Sequence, residues 1–251
     1  MTKKNNNNKK KNNKKKDILL VLDLNGILFD RRRKTWNSNK SFLLPSDDKN
    51  NKKEKTPDKT TLGNFDVYNR PHMNEFIDFL LENFTCAVWS SVQKHNLEML
   101  VDHAWGKERR KKLLFVWGQD ECTSCGFFGD GSHKPVFLKE TQRRIFWSHD
   151  KILLVDDSPY KALKNMQFTS IHPREWIASF GDDDELSENG KLRTYLEKVV
   201  EANASNVSLP RFIKQTPYNN SNDKNKEDEK EDEKLVHVMR LLSLSSTTPP
   251  R

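Results

Sequence analysis

The sequence predicts an α/β fold: a Rossmann-like, doubly wound parallel sheet with an insertion after the first strand. Three observations predict it. Short apolar runs of strand length alternate with segments of helical periodicity. The runs are apolar throughout rather than alternating, as in strands buried on both faces. Several of them end on polar or charged residues, and a sheet of this kind places its ligands beyond the carboxyl ends of its strands.

The first strand is read in "ILLVLDLNGILFD", residues 18–30, where an apolar run carries Asp23 into an Asn-Gly pair. "RPHMNEFIDFLLENF" predicts a helix with Pro71 at its start and Met73, Phe76, Ile77, Leu80 and Leu81 on one face. "TCAVWSS" is the second strand and "VQKHNLEMLVDHAW" the second helix. "KLLFVWG" follows as a strand, "PVFLKETQRRIFW" as a third helix carrying Lys139, and "KILLVDD" as the fourth strand. A short extended piece near Thr169–His172 and a helix around 184–203 complete the core.

The flanks differ in composition. Of 251 residues, 34% are hydrophobic and 32% charged, so part of the chain has nothing to bury. The net charge of +8 belongs to the Lys/Asn-rich arm 1–16, whose eight lysines leave residues 17–251 neutral. The domain is expected over 17–205, with a polar, aperiodic insertion at 31–65 that holds Phe42-Leu43-Leu44 as a possible packed element. A linker with a charged low-complexity segment spans 206–234. A short helix and tail, 235–251, carry an apolar stripe of Leu235, Val238, Met239 and Leu242 that would dock on the domain or on a partner.

No run of about 18 apolar residues occurs, so no membrane span is expected, and the polar residues inside the first apolar run argue against a signal peptide. Three cysteines, Cys86, Cys122 and Cys125, suit a reducing intracellular compartment, and the lysine arm leans toward the nucleus rather than the cytoplasm. "CTSC" at 122–125 lacks a second ligand pair for structural zinc, with His133 the nearest candidate, and reads as two reduced thiols in a loop.

The odd polar residues form a constellation. Asp23 ends strand one, Ser90 ends strand two, and Asp156 and Asp157 end strand four. Alone, each has a bland reading: a turn for "DDSP", a helix cap for Ser90. Parallel neighbouring strands would bring them to one edge, where three carboxylates require positive charge from Lys139 and a divalent cation.

"LLVLDLNGIL", "AVWSS", "FLKE" and "LLVDDSPYKA" together resemble the four motifs of the haloacid-dehalogenase superfamily. "YNRPHMNEFIDFL" and "VDDSPYKA" resemble the branch of RNA polymerase II C-terminal-domain phosphatases and NLI-interacting-factor-like proteins. The resemblance covers about residues 17–205 without the insertion. It implies Asp23 as the nucleophile that forms an aspartyl-phosphate, and Mg²⁺ held by Asp23, the Asn25 backbone carbonyl and Asp157. It implies Ser90 and Lys139 as ligands of the phosphoryl group, with Asp156 orienting Lys139 or a metal-bound water.

Asn25 departs from the family pattern, which places there a second aspartate that protonates the leaving oxygen and later deprotonates water. An amide does neither, and such catalysis contributes about 10²–10⁴-fold. The resemblance therefore implies a Mg²⁺-dependent phosphatase acting on phosphoprotein Ser/Thr, with the amide expected to slow it. The alternative is a phosphate- or phosphopeptide-binding pseudophosphatase. Nucleic-acid binding is expected at most weakly, through the arm, since the core is neutral. A monomer is the default. The insertion brings Arg31, Arg32 and Arg33 after the nucleophile, where they would meet an acidic phosphopeptide or stay solvated.

Overall fold

A computed structural model describes residues 16–34, 58–128, 132–178, 183–219 and 226–246. The first apolar run forms β1 (Leu19–Leu22). The insertion begins with β2 (Phe29–Arg33) and returns as β3 (Lys59–Leu62) and β4 (Phe65–Asn69). Then come α1 (Met73–Asn83), β5 (Thr85–Trp89) and α2 (Lys94–Arg110). β6 (Val116–Trp117) leads to the hairpin of β7 (Thr123–Phe127) and β8 (Pro135–Leu138), and then to α3 (Thr141–Arg144). β9 (Ile152–Val155) and β10 (Ser170–Ile171) complete the strands. The remaining helices are α4 (Lys191–Ala204), α5 (Leu209–Gln215) and α6 (Lys226–Ser246).

The main sheet has the order β10-β9-β1-β5-β6, and its neighbouring strands pair in parallel, as the continuous apolar runs predict. β1 lies at its centre. Side chains alternate across a strand, so Leu20 and Leu22 face one layer while Leu19 and Val21 face the other. The first layer is helical: Phe76, Ile77 and Leu80 of α1, Leu97 and Val101 of α2, and Leu192 and Leu196 of α4 close over it. Trp89 and Leu154 join the second layer, which is covered by Cys122 and Ile145, with Phe115, Trp117, Phe137 and Trp147 packed against them.

That second layer corrects one expectation. "PVFLKETQRRIFW" is not a helix: its first residues are β8, paired antiparallel with β7, and only Thr141–Arg144 turn helically. Its apolar residues serve two surfaces. Val136 and Leu138 pack toward α6, whereas Phe137, Ile145 and Trp147 pack on the sheet. That alternation through Val136, Phe137 and Leu138 has the period of a strand. Two boundaries also move. α2 bends at Gly106, which has φ 64, and continues to Arg110 beyond the expected stop at Trp105. α1 starts at Met73, after His72 in the left-handed region rather than at Pro71.

The ends of the insertion are ordered as an antiparallel sheet, β2-β4-β3, joined to β1 by the loop that carries Asn25 and Gly26. Phe42–Leu44 and residues 1–15 of the lysine arm lie outside the described residues. α6 begins at Lys226, inside the stretch read as linker. It docks through buried Val238, with Leu241 and Leu242, onto Val136, Leu138, Phe128 and Tyr160, while Met239 faces solvent. Among the described residues no helix is long and apolar enough to cross a membrane.

Candidate active site

Strand register builds the site. Leu22 of β1 pairs with Val155 of β9 on one side and Val88 of β5 on the other. The next residue of β1, Asp23, therefore emerges beside Asp156, and its N–H donates to Val155 O at 2.9 Å. Ser90 follows β5 at the neighbouring strand end, 2% exposed, with its N–H donating to Trp117 O at 3.0 Å.

Asp23 is only 3% exposed, and Asp156 is fully buried. Isolated carboxylates do not stay charged in such surroundings; these are held by ammonium groups. Lys139, which follows β8 and is fully buried, ion-pairs with Asp23 Oδ2 at 2.9 Å and with Asp156 Oδ2. Asp23 Oδ1 accepts the Leu24 N–H at 2.8 Å. The Lys139 N–H donates to Lys161 O at 2.8 Å, and its carbonyl accepts from the Asn165 side chain at 2.8 Å.

The second ammonium was not among the residues the sequence singled out. Lys161, five residues after Asp156 and 7% exposed, places Nζ 2.9 Å from Asp23 Oδ2 and 2.9 Å from Asp156 Oδ1. Asp157 Oδ1 lies 3.7 Å away. Its sole signal in the sequence is position within "DDSPYKA", where a lysine after Ser-Pro otherwise reads as a solvated turn residue.

The charges set one another. Burial pushes Asp156 up, but Lys139, Lys161 and the Ser158 N–H together outweigh it and hold the carboxyl far below its ordinary range. Burial, with Asp156 and Asp23 adding to it against Lys161, holds Asp157 well above. Burial lowers Lys161, yet the three carboxylates reverse this and raise it well above the usual lysine value.

Asp23, Asp156 and Asp157 each bring an oxygen to within 4.8 Å of the others. Hard carboxylate oxygens are the donors Mg²⁺ takes. Gly26 permits the close approach. At φ +78 it sits in the left-handed region, and a Cβ there would lie 2.5 Å from Asp157 Oδ2. The donor set fits a divalent cation by chemistry and proximity.

The Asn25 side-chain oxygen is engaged away from this cluster. Its Oδ1 accepts the backbone N–H of Arg31 on β2 at 2.9 Å, which fixes the amide against the inserted sheet. Arg31 lies with its guanidinium 4.4 Å from the Phe65 ring centroid, and its buried Nε has no hydrogen-bond partner. Burial lowers its pKa, and the charge of Asp23 opposes that shift. Asp30, the last residue of the opening stretch, is structural: it accepts the Ala178 N–H at 3.0 Å and pairs with Arg32. Cys122 and Cys125 pack into different clusters, Cys122 under the sheet and Cys125 beneath α6.

Comparison with known proteins extends the geometry. The chain matches the family described as NLI interacting factor-like phosphatase over residues 18–208. An uncharacterised FCP1 homology domain-containing protein of Schizosaccharomyces pombe is 24% identical over 119 residues, covering 43% of this chain and 46% of that protein. The chain thus spans less than half the length of this relative. Two solved structures are similar at low identity. One is titled as Fcp1, an essential RNA polymerase II CTD phosphatase, at 14% identity and TM-score 0.41, covering 91% of this chain and 64% of that one. The other is a fission yeast Fcp1 variant bound to beryllium fluoride, at 15% identity and TM-score 0.38, covering 93% and 68%. With a match that takes in all ten strands and runs through Asp23, Ser90, Lys139 and Asp156–Asp157, the chain belongs to the NLI interacting factor-like phosphatase family.

Proposed function

We propose that the protein is a Mg²⁺-dependent phosphatase that works through an aspartyl-phosphate on Asp23 and turns over slowly. The observation that supports this most is the state of Asp23: a carboxylate at the end of the central strand, nearly buried, with Oδ2 held by two ammonium groups. A purely structural ion pair has no need of a strand end that two further carboxylates share.

In the first step an Asp23 oxygen attacks phosphorus as the bond to the leaving oxygen breaks. Lys139 neutralises charge on the phosphoryl oxygens and on Asp23, and Ser90 hydrogen-bonds a phosphoryl oxygen. In the second step water attacks phosphorus, the Asp23–phosphorus bond breaks, and phosphate leaves. Asp23 and Asp157, with the Asn25 backbone carbonyl, would hold Mg²⁺, which supplies charge neutralisation for the transferring group. Asp156 positions both lysines. The Asn25 amide orients a leaving group or water by donating a hydrogen bond, and leaves the proton itself to solvent. Phosphoserine or phosphothreonine in a protein is the proposed substrate, with Arg31 on the inserted sheet beside the nucleophile as its cationic contact.

Aryl-phosphate turnover with Mg²⁺ or with EDTA tests the reading. Wild type should exceed Asp23→Asn in Mg²⁺ and lose that excess in EDTA; equality of the two proteins in Mg²⁺ overturns it. The amide at Asn25 favours a second reading, a phosphate-binding pseudophosphatase. In that case phosphopeptide binds with no Mg²⁺-dependent turnover.

A further inference from the structure

We infer that Lys161 is a built-in competitor for the metal: its ammonium sits among the carboxylates that would hold Mg²⁺, so the cation binds only as Lys161 withdraws. The inference rests on the proposed phosphatase site, but its readout is metal affinity rather than turnover.

The contacts are specific. Lys161 Nζ meets Asp23 and Asp156 at 2.9 Å each and Asp157 at 3.7 Å, which together are the three carboxylates of the cluster. Mg²⁺ takes its oxygens at about 2.0–2.1 Å and in octahedral array. A cation bound to Asp23 and Asp157 would draw on the same two carboxylates that Lys161 engages, at a distance where two positive charges repel. Lys139 conflicts less: of the two proposed metal donors it pairs with Asp23, and its other partner is Asp156.

The backbone that carries Lys161 is anchored, which leaves withdrawal to its long side chain. The short turn Pro159–Ala162 that carries it is held by Tyr160, stacked edge-on against Phe128, and by the Lys161 carbonyl on the Lys139 N–H. Withdrawal therefore needs side-chain rotation alone. Charge balance gives it a purpose. Two ammoniums offset the carboxylate cluster, so its buried acids have partners without metal. Metal entry then exchanges one cation for another instead of filling a bare acidic hole.

When the competent state is a fraction of the population, apparent affinity falls by that fraction. Removing the competitor should therefore tighten binding. Calorimetric titration of the full chain with Mg²⁺ alone compares wild type, Lys161→Met and Lys164→Met, the last being a half-exposed lysine of the same segment. Lys161→Met should bind Mg²⁺ about tenfold or more tightly than wild type, within the usual span of coupling between sites; Lys164→Met should match wild type. Equal affinity of Lys161→Met and wild type overturns the inference, and so does weaker binding by Lys161→Met.

Because Lys161→Met leaves buried acids short of a partner and so risks misfolding, a second measurement uses the wild type. Lysine side-chain ¹⁵N resonances followed during Mg²⁺ addition should show the Lys161 ammonium losing its protection while Lys139 keeps its own. Retention of both at saturating Mg²⁺ overturns the inference. Failure of the phosphatase reading looks different: no turnover at saturating Mg²⁺, with the affinity difference intact.

Discussion

Asn25→Asp tests the one position of the proposed site where an amide stands in place of a proton-transferring carboxylate. The structure makes it a clean exchange. Oδ1 of Asn25 accepts the Arg31 N–H at 2.9 Å, and a carboxylate oxygen would accept the same bond. The other change swaps an NH₂ for an oxygen of similar size on a half-buried side chain, so neither a cavity nor a lost bond follows. The electrostatic change is larger. Three carboxylates and two ammoniums stand within the cluster. A fourth carboxylate two residues from Asp23 is held partly protonated by its like-charged neighbours, which suits it to donate a proton.

Restoring a general acid–base is worth about 10²–10⁴-fold, or about 2.7–5.4 kcal/mol of barrier. The gain should depend on the leaving group. A phosphoserine peptide releases a poor alkoxide and should gain within that range. An aryl phosphate, whose leaving group needs little protonation, should gain about tenfold or less at the first step. Initial rates at saturating Mg²⁺ on both substrates, with Asp23→Asn as the blank in each background, measure the ratio. The variant should also acquire a pH limb absent from wild type. Equal gains on both substrates, or none while phosphate binding persists, refute the assignment of Asn25 to the proton-transfer position. Spontaneous deamidation of Asn25 is not expected to blur the comparison. The Gly26 nitrogen that would attack the side chain donates instead to Phe29 O at 2.9 Å, and peptide mass spectrometry of aged protein checks this.

Gly26→Ala should abolish turnover and cost roughly 1–3 kcal/mol of stability, because the left-handed φ and the 2.5 Å approach to Asp157 Oδ2 both resist a Cβ; urea denaturation together with Mg²⁺ calorimetry separates the two losses. Arg31→Ala should raise KM for a phosphopeptide about tenfold, as expected for one charge-assisted hydrogen bond, with Arg31→Lys recovering only part, since the buried Nε has no counterpart in lysine. An unchanged KM would make Arg31 a support for Asn25 and nothing more. At high pH, burial raises the Tyr195 hydroxyl to about 12, and it donates to Thr216 O at 2.6 Å. Its neutral form is favoured in the fold, so its contribution is intact below the unfolded value of about 10 and is lost as pH rises from about 10 to 12. Denaturant midpoints against pH should fall over that window, and less steeply in Tyr195→Phe.

What the sequence makes legible here follows from locality. Asp23, Ser90 and Asp156–Asp157 stand out because a polar residue that closes an apolar run breaks the run's own pattern, and parallel pairing then aligns those breaks at one edge. Nothing beyond the strand itself has to be known. The inserted sheet is different. Arg31 pairs with Val67 and Thr60 with Val67, across a long polar stretch that carries no strand periodicity. Such pairing has no local signature, and the Lys/Asn composition between the partners masks it. Segment 135–147 fails for a related reason: its residues satisfy two separate clusters, so its apolar spacing fits neither period over its length.

Lysines are the hardest to read, because in sequence a lysine is solvated by default. Lys139 is legible through its motif, although the apolar spacing around it suggests a helix where the structure has the end of β8. Lys161 had no such cue, and it is the residue that most alters the chemistry. With one ammonium, the carboxylate cluster would be short of positive charge and would lean on a metal for its burial to be tolerated. With two, the cluster holds together without metal, at the expense of metal affinity. The Asn25 amide acts in the same direction by leaving out a further negative charge. Both features would reduce the site's dependence on Mg²⁺ for integrity while leaving in place the proposed nucleophile Asp23 and the three clustered carboxylates. On the proposed reading, a site arranged this way commits to chemistry only when the cation has displaced Lys161.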